Sequence, residues 1–147
     1  MEVVEDALPV DLETFLERPL VCHLSTLAEA GPRVSPLWYL HEDDALWIIA
    51  DTETKTHPER IRRDPRVAAA IVDFDAPTGL VQHVGVRGRA TLAPFDVSRA
   101  NRLLARYLGD DRSTWDPRFT GPWDDRWRFI RLEPATVVAR DQSFDAE

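Results

Sequence analysis

Between Thr52 and Arg66 the chain reads Thr-Glu-Thr-Lys-Thr-His-Pro-Glu-Arg-Ile-Arg-Arg-Asp-Pro-Arg, a run of hydroxyls and cations suited to holding an anion. Lys55, Arg60, Arg62, Arg63 and Arg66, together with His57, stand there against Glu53, Glu59 and Asp64, whereas the chain of 147 residues carries a net charge of −8. The local field therefore opposes the global one. Thr52, Thr54 and Thr56 offer hydroxyl donors, and Lys55, the only lysine, is a compact charge on a flexible stem. His57-Pro58-Glu59 reads as a helix start whose free N–H groups attract negative charge. A phosphate is the anion that suits this chemistry. The same letters also describe a solvated turn followed by a surface helix with i,i+3 and i,i+4 charge pairs, and the segment alone does not choose between them.

The elements that must position this segment come from one domain spanning residues 1–147, for which a hydrophobic content of 44% is enough to build a core without disulfide or metal staples. Cys22, the single cysteine, sits in the apolar run Leu20 to Leu24 and reads as a buried, inert thiol, which suits a reducing cytoplasm. The acidic start of the chain has no secretion pattern, and no run approaches the ~20 apolar residues needed to span a bilayer. A sequence pI near 5.0 disfavours nucleic acid as a partner. No spacing of His, Cys, Asp or Glu marks a metal site.

Asp11 is expected to cap a short helix carrying Leu12, Phe15 and Leu16 on one side. Strands follow over Leu20 to Thr26, Arg33 to His41 and Ala45 to Ala50, separated by turns at Ala30-Gly31-Pro32 and Glu42-Asp43-Asp44. After the basic connector, Arg66 to Asp73 reads as a strand buried on both faces. Leu80 to Leu92 reads as a long strand that Gly85 and Gly88 allow to bend. Asp96 caps the clearest helix, with Ala100, Leu103, Leu104, Tyr107 and Leu108 on one stripe, and Gly109 ends it. Arg99, Arg102 and Arg106 fall opposite that stripe, most simply on a solvated face. Asp110 to Asp125 is irregular, and its Trp115, Phe119 and Trp123 form either a dimer seam over a ligand or a loop packed on its own barrel. Arg126 to Glu133 and Ala135 to Arg140 are expected as a last pair of strands. The sum is a mainly β fold with α additions, a small barrel of about six to seven antiparallel strands.

In this order the motifs resemble the FMN-binding split-barrel superfamily of pyridoxamine 5′-phosphate oxidase-like proteins. Leu24-Ser25-Thr26 followed by Gly31 to Tyr39 resembles the family's opening strands, and Lys55 to Val67, ending Ile61-Arg62-Arg63-Asp64-Pro65-Arg66-Val67, is similar to its phosphate-binding connector. Val86-Arg87-Gly88-Arg89-Ala90 and Arg131-Leu132-Glu133-Pro134 resemble two of its later strands. The resemblance implies a homodimeric split barrel with the cofactor shared between protomers. The flavin ring would lie against Val34, Ser35, Pro36, Leu37 and Trp38, and the phosphate on the connector, with Thr52, Thr54, Lys55 and Thr56 the first candidates; Arg33, Asp51, His57 and Arg60 complete the cofactor-binding set. His83 would reach the cofactor from the second subunit. Two departures stand out. Counted back from Asp64-Pro65, the family's lysine falls at His57 and its asparagine at Arg60. The Arg-Leu-His substrate signature of the true oxidases is absent, so vitamin B6 oxidation is not expected.

The resemblance thus implies a flavin-dependent oxidoreductase using FMN or the deazaflavin coenzyme, with hydride moving to or from a small organic substrate and no side chain marked as a catalytic base. Arg62 and Arg63, added to Arg60, offer more charge than one FMN phosphate requires, which suits the longer anionic tail of a deazaflavin unless these arginines only face water. The alternative is a non-catalytic flavin- or haem-binding protein of the same fold. Haem is the weaker of these, since only His23, His41, His57 and His83 are available as axial ligands. Tyr39 and His41 are the proton donors to consider beside a ring, although a tyrosine at a strand end also serves as an anchor.

Overall fold

The computed structural model describes residues 1–146. Alternation along the strands sends Cys22, Leu24, Val67, Ala69, Ile71, Val84, Val86, Leu132, Val137 and Ala139 to one side, where they bury a common interior. The elements are β1 (Glu2–Asp6), α1 (Leu12–Leu16), β2 (Cys22–Ala28), β3 (Gly31–Leu37), β4 (Leu40–Glu42), β5 (Ala45–Asp51), α2 (His57–Arg63), β6 (Arg66–Asp75), β7 (Leu80–Pro94), α3 (Val97–Leu108) and β8 (Trp127–Asp141). Hydrogen bonding orders the eight-stranded sheet β3-β2-β6-β7-β8-β5-β4, with β1 added to β8. Its two ends, β3 and β4, are not joined by a ladder. That gap splits the barrel and leaves one edge of β3 unpaired.

The long antiparallel β7–β8 pairing joins strands that α3 separates in the chain, and it carries an irregularity. The register slips between Arg87 and Gly88, and a Cβ at Gly88 would stand 2.1 Å from the Glu133 carbonyl oxygen, so only glycine fits the crossing. Pro134 faces Gly88 there, and β8 runs through it as one strand of 15 residues rather than the expected pair. A proline is tolerated because the ladder is already broken at the bulge. One further expectation is corrected, and one strand is unanticipated. β6 alternates between buried Val67, Ala69 and Ile71 and outward Ala68, Ala70 and Val72, so within the single chain it is buried on one face. β1, which pairs parallel to β8 at Glu2↔Thr136 and Val3↔Val137, carries no inward apolar set and is fully exposed, and so left no periodic signal. Asp11 precedes α1 but makes no side-chain cap bond.

α3 is the helix that the sequence anticipates. Asp96 accepts a hydrogen bond from the Arg99 N–H, and Gly109 follows at φ 91°. Ala100, Leu103 and Leu104 bury a second apolar cluster, with Trp47, Trp115 and Phe129, on the outer side of the barrel. The arginine face is docked rather than free, although Arg102 stays half exposed. Arg99 bonds to Glu42 and Asp43 and lies 3.6 Å over the Trp47 ring, Arg102 bonds to Glu42, and Arg106 donates to the carbonyls of Leu16, Glu17, Arg18 and Tyr39. A short amphipathic helix with arginines on its second face has partners on both sides once the acidic β4–β5 turn folds back beside it.

The irregular segment after α3 forms two short 3-10 turns, Arg112–Thr114 and Pro117–Phe119. Trp115 is 6% exposed, Phe119 stacks on Trp38, and Trp123 packs on Phe95 and Trp127. These rings therefore pack on their own chain, with Phe119 and Trp123 still partly exposed. No helix among the described residues is long and apolar enough to cross a membrane.

Candidate functional site

The connector is shaped by a buried carboxylate. Asp51, at the end of β5, accepts hydrogen bonds from the Glu53 and Thr54 N–H groups and from the Thr54 hydroxyl at 2.6 Å. Burial pushes the Asp51 carboxyl up, but those bonds and the Arg126 charge outweigh it and hold the pKa below the usual range. Thr52 donates its hydroxyl to the Arg126 carbonyl at 2.6 Å. The hydroxyl protons of Thr52 and Thr54 are thus committed to the turn itself, and Asp51 organises the connector as a negative charge rather than as an anion contact. Lys55 is exposed at the rim.

α2 separates its charges by face. Arg62 and Arg63 lie 3.3 Å and 4.0 Å from Glu59 on the exposed side, which is the i,i+3 and i,i+4 pattern of a solvated helix. Arg60 turns inward instead. Its Nε donates to the Thr26 hydroxyl at 2.8 Å and its Nη1 to the Thr56 hydroxyl at 2.6 Å. Among the described residues no carboxylate pairs with Arg60, and its pKa is lowered by burial and then by the Arg33 guanidinium on β3. The two guanidiniums feel each other's charge and neither forms an ion pair among the described residues, although Glu29 and Asp64 border the same hollow as Arg60 and Arg63. Thr26, 1% exposed, is the residue that sequence reasoning missed: a polar side chain at an inward position of an otherwise apolar alternation was its only signal.

His57 is 5% exposed, and its Nε2 is buried without a hydrogen-bond partner. Burial, then the charges of Arg60 and Lys55, push its pKa from 6.5 to about 4. It is therefore neutral at pH 7 and adds no cation to the connector. The folded chain resists a protonation that the unfolded chain accepts, so stability is complete above pH 6.5 and is lost as pH falls toward 4. By pH 5.5 the expected loss is about 1.4 kcal/mol, before the carboxylates begin to titrate. Urea unfolding at pH 7.5 and 5.5 should show that loss in the parent and not in His57→Leu. Equal stability of the parent at the two values would contradict it.

β3 links this corner to a cavity. Arg33 pairs across the ladder with Thr26, and the strand then runs four residues to Leu37, about 13 Å at the usual rise. Pro36, Leu37 and Trp38 border a cavity of about 570 Å³ that also meets Ile49 of β5, Leu104 of α3 and Trp127 of β8. Arg33, Val34 and Ser35 lie outside its lining. Tyr39, the next residue, is fully buried: its hydroxyl donates to the Arg18 carbonyl, and burial raises its pKa to about 12. It is an anchor and not a proton donor. His83 stands opposite Val72 on β7, on the outward face that also carries Val34, away from the connector of its own chain. Among the described residues, no group of three or more His, Cys, Asp or Glu side chains is placed to hold a metal ion.

Residues 8–141 match the sequence profile described as pyridoxamine 5′-phosphate oxidase, and the chain belongs to that family. No curated protein sequence matches it. Among solved structures, an F420 reductase is 25% identical, with 88% of this chain and 98% of that chain covered at a TM-score of 0.65. A FAD-binding protein of Mesorhizobium loti is 22% identical over 89% of this chain and 92% of that one, TM-score 0.64. A haem-storage protein of Vibrio cholerae is 11% identical over 90% and 93%, TM-score 0.67. The last two likenesses concern the fold alone.

Proposed function

We propose that this chain is a flavin-dependent oxidoreductase that holds FMN along β3, with the phosphate on Arg33 and Arg60, Lys55 at the rim, and the ring against the backbone of Val34 to Trp38. The observation that carries this reading is the Arg60 guanidinium, aimed by the Thr26 and Thr56 hydroxyls and in no ion pair among the described residues, near Arg33 at one end of β3, with an apolar cavity at the other. An unpaired strand edge between them offers backbone groups to the polar side of a ring, and Pro36 withholds one donor where a flat ligand approaches. When bound, FMN supplies hydride transfer to or from a small organic substrate. The chain's own residues bind, orient and exclude water. Asp51, Thr52 and Thr54 fix the loop, and Thr26 and Thr56 aim Arg60.

A deazaflavin coenzyme is the second reading, favoured by the F420 reductase likeness. The extra positive charge that suited its longer tail is reduced, since Arg62 and Arg63 are paired with Glu59. Equilibrium dialysis against FMN, riboflavin and the deazaflavin coenzyme, read by absorbance, tests the choice. FMN retained more tightly than riboflavin supports the proposal. Retention of neither flavin, with haemin retained instead, would sink it in favour of a binding protein. A buried Cys22, its thiol pushed to about 12 by burial, suits a reducing compartment such as the cytoplasm.

The cofactor is proposed to lie at a homodimer seam, formed by the outward face of β2, β3, β6 and β7. Val34 and Phe74 are 66% and 62% exposed on that face, beside the small Ala68, Ala70 and Gly85. His83 shares it, and so would face the partner. Light scattering at micromolar concentration should give twice the chain mass of 16.8 kDa, with Val34→Glu shifting the protein to monomer. A monomeric parent would remove the seam.

A further inference from the structure

The two ends of β3 differ in what they leave unsatisfied. At the Arg33 end, neither Arg33 nor Arg60 forms an ion pair with a carboxylate among the described residues. At the Trp38 end, both cations that reach the cavity have carboxylates beside them: Arg118 pairs with Asp116 at 3.2 Å, and Arg126, whose Nε makes no hydrogen bond, lies 3.7 to 3.8 Å from Asp51, Glu53 and Asp124. An anionic group entering the cavity would therefore meet more negative than positive charge around Arg126. The remaining wall is aliphatic or aromatic and presents few donors, so a charged or strongly hydrated substituent would lose its water without replacement.

The aromatic walls are held rigidly. Trp38 lies flat on Tyr107 with ring centroids 4.5 Å apart and planes 4° from parallel. Trp123 meets Trp127 edge to face at 5.1 Å and leans on Phe95 at 4.9 Å. Phe119, the ring on the second 3-10 turn, stacks on Trp38 at 5.6 Å, where aromatic contact is favoured. A volume of about 570 Å³ is within the range of small-molecule sites.

We infer that this cavity binds an uncharged, flat, fused-ring compound, in aromatic contact with Phe119, Trp123 and Trp127. As a statement about the substrate it rests on the flavin reading above, since the cavity adjoins the strand proposed to bear the ring. The family's name describes a phosphorylated substrate, and the carboxylates beside both cations of this cavity oppose that chemistry.

Calorimetric titration of the FMN-loaded protein with 2-naphthol, 2-naphthoate and decahydro-2-naphthol tests charge and flatness separately. The expected result is saturable binding of 2-naphthol, at least about tenfold weaker binding of the naphthoate and of the saturated alcohol, and loss of 2-naphthol binding in Ile49→Phe, which fills the cavity from β5. The three-ligand comparison in the parent decides the matter even if that variant does not fold. Equal or tighter binding of the naphthoate would overturn the charge argument, and equal binding of the saturated alcohol the stacking argument. Displacement of FMN by 2-naphthol would overturn the proposal by showing that the cavity is the ring's own bed. If the protein takes up no FMN but still binds 2-naphthol selectively, the flavin reading fails and the cavity inference stands.

Discussion

Arg60→Ala is expected to weaken FMN about 10- to 150-fold while riboflavin, which has no phosphate, binds parent and variant alike. A hydrogen bond to a charged group contributes roughly 1.5–3 kcal/mol, and each 1.4 kcal/mol is about tenfold in affinity. Arg60 is nominated because its guanidinium is already aimed. The Thr26 and Thr56 hydroxyls hold two of its nitrogens at 2.8 and 2.6 Å, so little rotamer freedom remains to be lost on binding. Lys55 has no such support. It is exposed, and a flexible ammonium at the rim should matter less, so Lys55→Ala is expected to cost FMN only a few-fold. Equilibrium dialysis of both flavins separates an anion contact from a general loss of folding, which would weaken both together. If Lys55→Ala carried the full loss and Arg60→Ala none, the phosphate would lie at the rim.

Arg106→Ala is expected to lower stability by about 2–4 kcal/mol, because it strips a charge-assisted donor from several part-buried carbonyls at once. The Arg106 guanidinium donates to Arg18 at 2.8 Å, Leu16 at 3.0 Å, Glu17 at 3.3 Å and Tyr39, and so closes the C-terminal end of α1 against the β3–β4 bend. A helix of 5 residues satisfies few of its own carbonyls, so an external donor is needed there. Arg106→Lys should recover little, because a point charge cannot span the set. Chemical unfolding gives the magnitude, and a loss under about 1 kcal/mol would mean that water replaces the side chain. The site should feel the change too. Tyr107, the next residue, donates to Leu20 and supports Trp38 by stacking, so a loosened α3 should blur the aromatic wall and weaken 2-naphthol before FMN.

By itself the sequence determined the parts whose signals are local. The stripe from Ala100 to Leu108 between Asp96 and Gly109 specified α3, because spacing, cap and stop all lie within one helix. Gly88 marked the bend in β7, and the order of motifs marked the family. The concentration of charge after Thr52 marked a candidate anion site, because composition is legible without coordinates. What each of those charges does was decided only by tertiary structure. Nothing in Glu-Arg-Ile-Arg-Arg tells that Arg60 turns inward to Thr26 while Arg62 and Arg63 turn outward to Glu59, since the partner of Arg60 lies on β2, 34 residues away. The same holds for Arg99, Arg102 and Arg106. Their second face looks solvated along the helix and is docked in three dimensions, because the acidic β4–β5 turn and the end of α1 arrive from 56 to 90 residues earlier. Thr52 and Thr54 looked like free donors and are spent on the turn, a commitment set by the buried Asp51 and by Arg126, 74 residues away. Periodicity reports which face of an element is apolar. It carries no record of which distant backbone carbonyl or carboxylate will come to rest on the other face.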